Sequence, residues 1–585
     1  MTSRSGAGRL LLGLAALAVA FAAADTYVVV LALPEMMGAV GIPIDQLQRA
    51  APIISGFLLG YVAMVPLIGR ISDLRGRVPV LVLSLGIFAL GSLITALAYD
   101  VPSMVGGRFL QGVGGGGLVP ATLALVADLY PPERRGVPLG VVSAVQEIGS
   151  VLGPLFGAAV VMLADWRVIF LINLVVGALI AQAIRSLAGG DNDDSSPHSG
   201  PGARGAPVIG LLLAAATVAT GALVFVRPGP LMRDLTWGAI FVPITGSGRW
   251  LTPIGLVCIA ALALFLVHCL RSTRPLVDLR GWWAAAREAD LVGAVLLALT
   301  LSGVIVAFAT ADPRVQVFSP QGRWYLAASA VCCAVFVLHV RRAEQPIIPR
   351  GTFAPPAAWG ALLVSFFIGA ALIAALIDIP IFARTTIYAS SQVLAALVLV
   401  RFLIALPVGA IVGGFLLRRF GAGPITCAGM LLAAVAFLLF TRWDIDSLRH
   451  WTATFPLLLG GFGFGLALAP VNAAVLATTP DDSHGLATAL VVVSRMVGML
   501  VGISALTTIG LRRYYAEQRV ILPVREVCDG KSRCPEFTRL LKEAGIVQEH
   551  AVFLGAAGCA VIAALLALVL FRRVSATPTT PSTWV

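Results

Sequence analysis

The chain has 585 residues, of which 58% are hydrophobic and 12% charged, and a net charge of +12. So little polar surface excludes an ordinary soluble protein, and apolar runs repeatedly reach the ~20 residues that carry a helix across ~30 Å of hydrocarbon. Many arginines stand in short connections between apolar runs, as topology determinants do, so the positive charge implies no nucleic-acid partner.

The first apolar run, 10–33, follows Arg4 and Arg9 and lacks a cleavage site, so it reads as a retained first helix rather than a signal peptide. It holds Asp25 within AADTYVVVLALP. An acidic residue at mid-helix costs roughly 3 kcal/mol on insertion scales, and such groups usually face a partner charge, an aqueous cavity or a proton route. Further runs at 51–69, 78–98, 103–128, 137–163 and 167–187 complete a first set of six.

Residues 188–206, rich in Gly, Ser, Pro and Asp, have the composition of a flexible linker. Within a middle region, 188–350, four runs follow at 207–226, 251–270, 289–311 and 324–341. A second six-helix set fills 351–572, and 573–585 reads as a disordered tail. The expectation is an all-α polytopic membrane protein of 16 spans, or 14 if the runs near 207 and 251 are re-entrant or peripheral. The arginine clusters at 70–77, 134–135, 271–280, 341–342 and 572–573 share a side with the amino terminus, which places both termini in the cytoplasm.

The segment 512–548 is the longest outward connection, and LRRYYAEQRV continues the preceding helix beyond the membrane. It carries both lysines, Lys531 and Lys542, with a possible disulfide between Cys528 and Cys534.

Between the second and third spans stands GRISDLRGRVPVL, with Gly69, Asp73, Arg75, Gly76 and Arg77 in a tight turn. The fourth span supplies RFLQGVGGGGLVP, with Arg108 and Gln111 near its outer end; its glycines lack a following GK[ST] and suit close helix packing. QEIGSVLGPLFGA places Gly149, Gly153, Pro154 and Gly157 on a small-faced, bendable fifth helix, and DWRVIFLIN leads into the sixth. Glu147 and Arg495 lie at matching depth, so pairing across the two bundles is the expected relief for both, as Arg108 and Asp25 relieve each other within one bundle. Arg401 and Asp378 are candidate further buried charges in the second set, with hydration as the alternative for Asp378, which lies close to the outer end of its helix.

In this order these motifs resemble the major facilitator superfamily, specifically its drug:proton antiporter branch with fourteen rather than twelve spans. Asp25 to Pro34, Gly69 to Arg77, Arg108 to Gly112, Gly149 to Pro154 and Trp166 to Asn173 carry the likeness, and GGFLLRRFGAGP at 413–424 resembles a degenerate second loop motif. The resemblance implies two six-helix bundles about a central cavity, with inserted helices between them. DTYVVV, GIPIDQL, FLIALPVGAIVGG and VVVSRMVGML are similar to the mycobacterial branch that acts beside a lipid-carrying lipoprotein, extracting triacylglycerides and affecting drug efflux.

The resulting expectation is a proton-coupled exporter of hydrophobic or lipidic substrates in the inner membrane, with a periplasmic lipoprotein as partner. Asp25 would take the proton under Arg108, Glu147 and Arg495 would form an inter-bundle lock, and Asp73, Arg75 and Arg77 would latch the cytoplasmic side against the helix after Asp481 to Ser483. The rival readings are a multidrug antiporter, a non-transporting receptor or scaffold, and a lipid-modifying enzyme. No P-loop, metal-ligand spacing or nucleophile–base arrangement favours an enzyme, a cofactor or a metal.

Overall fold

The computed structural model describes residues 2–42, 47–189, 208–234, 236–245, 248–272, 275–309, 321–388, 391–528 and 534–572. The linker at 190–207, Lys531 and the tail 573–585 lie outside the described residues, as do the surroundings of the Pro154 side chain.

Helices α1 (Thr2–Ala39), α2 (Leu47–Arg75), α3 (Arg77–Leu97), α4 (Val101–Leu129), α5 (Gly136–Leu163) and α6 (Arg167–Gly189) form the first bundle. The middle region holds α7 (Val208–Val226), the short α8 (Gly229–Arg233), α9 (Pro253–Arg271), α10 (Leu279–Glu288), α11 (Leu291–Ala309) and α12 (Gly322–Arg342). The second bundle comprises α13 (Pro356–Thr386), α14 (Gln392–Leu416), α15 (Ala422–Phe440), α16 (Thr454–Thr478), α17 (His484–Gln518) and α19 (Pro535–Leu570), with the short α18 (Val524–Val527) before α19. No strand occurs among the described residues.

Among the described residues, fifteen helices are long and apolar enough to cross a membrane, and α5, with 28 residues, is a further helix of spanning length. The runs near 207 and 251 are 19-residue helices, about 29 Å long at 1.5 Å per residue. They pack on each other, and α7 touches α3. α11 lies along both α2 and α17 at the seam between the bundles, with α12 beside it. Apolar side chains such as Leu211, Leu264, Val331 and Leu565 remain exposed on the outer surfaces, as lipid-facing positions require.

α4 is the most enclosed of these fifteen spans. Its glycines allow this: a Cβ on Gly112 would stand 2.0 Å from the Phe57 carbonyl oxygen of α2, and one on Gly114 2.4 Å from the Phe88 nitrogen of α3. Small residues let helix backbones approach where lipid supplies no hydrophobic drive. Asp100 caps α4, accepting from the Ser103 N–H at 2.9 Å in a capping box. Gly76, at φ 87°, makes the turn from α2 into α3, a backbone state that costs glycine little.

α1 begins near the end of α4, with Gly8 against Leu129, and α19 ends near the start of α13, with Leu570 against Gly360. This side of the molecule is here called the amino-terminal face. The glycine-mediated approaches between the bundles fall there, Gly69 of α2 against Gly485 of α17 and Gly136 of α5 against Gly414 of α14.

Candidate functional site

Polar clusters interrupt the apolar interior. In the first bundle, Asp25 and Arg108 form an ion pair, with Nη1 2.5 Å from Oδ2 and both side chains at most 1% exposed. Asn173 Nδ2 donates to Asp25 Oδ1 at 2.6 Å, and Gln111 Nε2 reaches the same oxygen at 3.4 Å. Gln111 is itself fixed, accepting from Arg108 at 2.9 Å and donating to Ser92 Oγ at 2.8 Å. Helices α4 and α6 thus converge on the carboxylate of α1, and α3 holds Gln111 in place. The guanidinium carbon of Arg108 lies 4.6 Å from the Phe57 ring centroid, so an aromatic face covers part of the charge.

The glycines of α5 place α1. A Cβ at Gly149 would stand 2.2 Å from the Ala20 carbonyl oxygen, one at Gly153 2.4 Å from that of Ala24, and one at Gly157 2.7 Å from Val28 Cγ2. The stripe therefore serves as a packing surface flanking Asp25.

The second cluster joins the bundles at the amino-terminal face. Ser483 stands at the N-cap of α17 but offers no side-chain cap; Asp73 of α2 supplies one, accepting from the Gly485 N–H at 2.7 Å and the Leu486 N–H at 3.0 Å. A carboxylate there satisfies orphan donors and meets the positive end of the helix dipole. Arg77 pairs with Asp73 and, at 3.2 Å, with Asp128 of α4, while Arg70 donates to the Asp482 carbonyl at 2.9 Å. Gly69 and Gly485 leave no room for a Cβ: each would stand 2.6 or 2.5 Å from the other's carbonyl oxygen.

Arg75 departs from the expected latch. It turns to the middle region, pairing with Asp278 at 3.3 Å and lying 5.1 Å from the Trp282 ring of α10. The Asp278 carboxyl is held below the usual carboxylate range, first by the Gly281 N–H of the α10 cap and then by Arg75. Sequence proximity to Asp73 concealed this, because Asp278 is 203 residues away.

Glu147 and Arg495 are not in ion-pair contact: no N to O distance between them is 4.0 Å or less. Glu147 is buried, and the Arg495 charge acts on it and on Tyr61 of α2. Matching depth alone did not bring the groups into contact in this conformation. Arg401 donates to Thr454 Oγ1 of α16 at 3.2 Å.

Asp378 is buried rather than hydrated, at 4% exposed, and Glu549 of α19, 1% exposed, faces it: Phe382 and Phe553, one helical turn beyond the two acids, stand 6.4 Å apart between ring centroids. Glu549 escaped notice because it stands in the polar-looking run LLKEAGIVQEH, which the structure builds into the continuous 36-residue α19. Asn173 and Gln111 were visible only as motif letters.

α17 and α19 project together at the face opposite the amino terminus. Lys542 Nζ donates to the Thr386 carbonyl at 2.9 Å, and a disulfide joins Cys528 to Cys534. A hollow of about 660 Å³ opens beside Arg512, Tyr515, Ala516, Gln518 and Arg519.

The sequence model of the Major Facilitator Superfamily matches residues 15–340 and 254–503. A triacylglyceride transporter of Mycolicibacterium hassiacum is 33% identical over 95% of this chain and 91% of the relative. A probable triacylglyceride transporter of Mycobacterium leprae is 32% identical over 98% of each. Among solved structures, a human organic anion transporter aligns with a TM-score of 0.54 at 15% identity, covering 96% of this chain and 99% of that one. The proton:xylose symporter XylE aligns with the same TM-score at 13% identity, covering 96% and 95%; both likenesses concern the fold alone. With fifteen helices among the described residues long and apolar enough to span a membrane, the chain is a multi-pass membrane transporter that belongs to the major facilitator superfamily.

Proposed function

We propose that this transporter exports triacylglyceride-like lipids across or out of the inner membrane of a bacterial cell, driven by protons moving inward. Both termini would lie in the cytoplasm, in keeping with the arginines at the amino-terminal face. The observation that carries the lipid reading is the projection of α17 and α19. At 35 and 36 residues they are about 52 and 54 Å long, against ~30 Å of hydrocarbon. A small drug diffuses away once released, whereas each CH₂ of an acyl chain loses ~0.8 kcal/mol of burial in water. A surface rising from the membrane shields that chain or hands it to a periplasmic lipid-carrying lipoprotein. The names of the relatives point the same way.

In this reading Asp25 takes the proton. Its carboxylate is held by Arg108, Asn173 and Gln111, so protonation loosens bonds from α4 and α6 together. The Asp73 cap closes the cytoplasmic side, and its release lets the bundles rock against each other. Glu147 and Arg495, apart here, would close into a lock in the alternate state.

Replacing 512–548 by a short flexible linker tests this in proteoliposomes and cells. Lipid export should fall to background while folding and any drug efflux persist. Unchanged lipid export by the shortened protein would remove the lipid-guiding role and leave a proton-driven multidrug antiporter as the better reading. Absence of any proton-dependent flux in the intact protein would favour a non-transporting receptor.

A further inference from the structure

Asp378 of α13 and Glu549 of α19 meet inside the second bundle, far along the chain from Asp25 and its partners. Glu549 Oε1 accepts from Gln548 Nε2 at 3.1 Å, while its Oε2 is buried without an N–H or O–H donor; Asp378 stands beside it, since Phe382 and Phe553, four residues beyond the two acids, are 6.4 Å apart between ring centroids. Aromatic rings enclose the site. Phe382 and Phe553, each one helical turn beyond one of the acids, both pack on Trp443, at 5.4 and 6.3 Å between centroids.

Among the described residues no cation forms an ion pair with either acid. On α19, Lys542 is bonded to the Thr386 carbonyl and His550 to the Trp443 carbonyl. On α13, Arg384 follows at the helix end; α14 brings Arg401, bonded to Thr454; α15 brings Cys427; and α16 has no titratable side chain. α17 brings Arg495, whose charge acts on Glu147, and then Arg512 and Arg513 in its projecting part. α18 carries Arg525 and Glu526. Among the described residues none of these lies within 4.0 Å of Asp378 or Glu549 as an ion pair.

Two carboxyl groups in contact, away from water and without a cation, cannot both be ionised. We propose that Asp378 and Glu549 together bind one proton, as an acid–carboxylate hydrogen bond that clasps α19 to α13, and that this is a protonation site separate from Asp25. The proton sits between one oxygen of each group, and its departure to water leaves two facing carboxylates. α19 continues from Glu549 past Lys542 into the projection, so occupancy of this site sets how firmly the projecting half of α19 is seated on α13.

Infrared difference spectra between acid and alkaline buffers, on the full chain in nanodiscs, test the site. The carbonyl stretch of a protonated carboxylic acid should appear in the wild type and persist in Asp25→Asn and Glu147→Gln. It should be lost in both Asp378→Asn and Glu549→Gln, where the introduced amide donates to the remaining carboxylate. Retention of the band in both variants overturns the proposal, and its loss in only one assigns the proton to a single acid and overturns the shared site. A second measurement leaves the pair intact. In the Asp25→Asn/Glu147→Gln background the melting midpoint should fall as pH rises through the point where the proton leaves, and a midpoint that does not change overturns the clasp.

Discussion

Asp73 caps a helix to which its own helix is not joined in sequence: its two carboxylate oxygens take the Gly485 and Leu486 N–H groups, 412 and 413 residues away. The contact spans the bundles, so the free energy of one helix cap becomes free energy of closure at the amino-terminal face.

Removing that cap should therefore shift a conformational equilibrium. Losing an N-cap acceptor costs about 0.5–2 kcal/mol, and Arg77 is left with only Asp128. Asp73→Ala is expected to move the population toward the state open at this face by roughly 2- to 30-fold, as that energy range implies. Spin-label distances between the ends of α2 and α17 would read the shift, and an unchanged distance distribution would exclude closure by the cap. Gly485→Val should act in the same direction through the 2.5 Å approach to the Gly69 carbonyl.

Arg75 and Asp278 should behave differently, because their pair is exposed. Such pairs contribute about 0–1 kcal/mol, so Arg75→Ala should leave the melting midpoint nearly unchanged. The Asp278 carboxyl titrates below the ordinary carboxylate range, so its contribution is complete above that range and lost only as pH falls through its own lower value. Fluorescence of Trp282, isolated as the difference from Trp282→Phe, should stay constant through neutral pH and change only in strong acid. A change near neutral pH would contradict the contact.

Most of the architecture was legible in the chain because a bilayer demands long apolar helices and punishes exposed backbone. Asp25 and Arg108 could be paired from sequence since each alone is costly there. The partner of Arg75 could not be read, because α10 is a short amphipathic helix whose place depends on tertiary packing. Nor could the contact of Asp378 with Glu549, since a carboxyl beside another carboxyl contradicts the rule of opposite charges. Asn173 carried no charge to draw attention, yet it makes a 2.6 Å bond to Asp25.

Asp25→Asn should insert and fold, keeping a polar group opposite Arg108, but abolish substrate-induced proton release in proteoliposomes. Asn173→Ala removes one donor while leaving the titratable group, so release should be weakened rather than lost. Equal release by wild type and Asp25→Asn would exclude Asp25 as the carrier.

The stripe of α5 gives a prediction about position rather than charge. Gly149→Leu brings a Cβ within 2.2 Å of the Ala20 carbonyl, which is backbone and cannot rotate away. Overpacking of this kind typically costs about 1–3 kcal/mol. The midpoint should fall accordingly, with proton release impaired because α1 and Asp25 move together. Full coupling in a destabilised variant would separate the stripe from the Asp25 site.

Glu147 and Arg495 allow the conformations to be told apart by their energetics. With no direct ion pair here, Glu147→Gln and Arg495→Ala should have nearly additive effects on the melting midpoint of this state, as residues without a shared bond do. Transport requires the alternate state, in which a closed lock would couple them. Removing one partner of a buried pair there costs about 3–5 kcal/mol, because the other charge is orphaned. Each single variant should therefore slow transport strongly, and exchanging the two charges should recover part of the rate. Double-mutant cycles on stability and on initial transport rate, run on the same preparations, provide the measurement. Additivity in both would mean that the two groups never meet, and strong coupling in stability alone would place their contact in the wrong state.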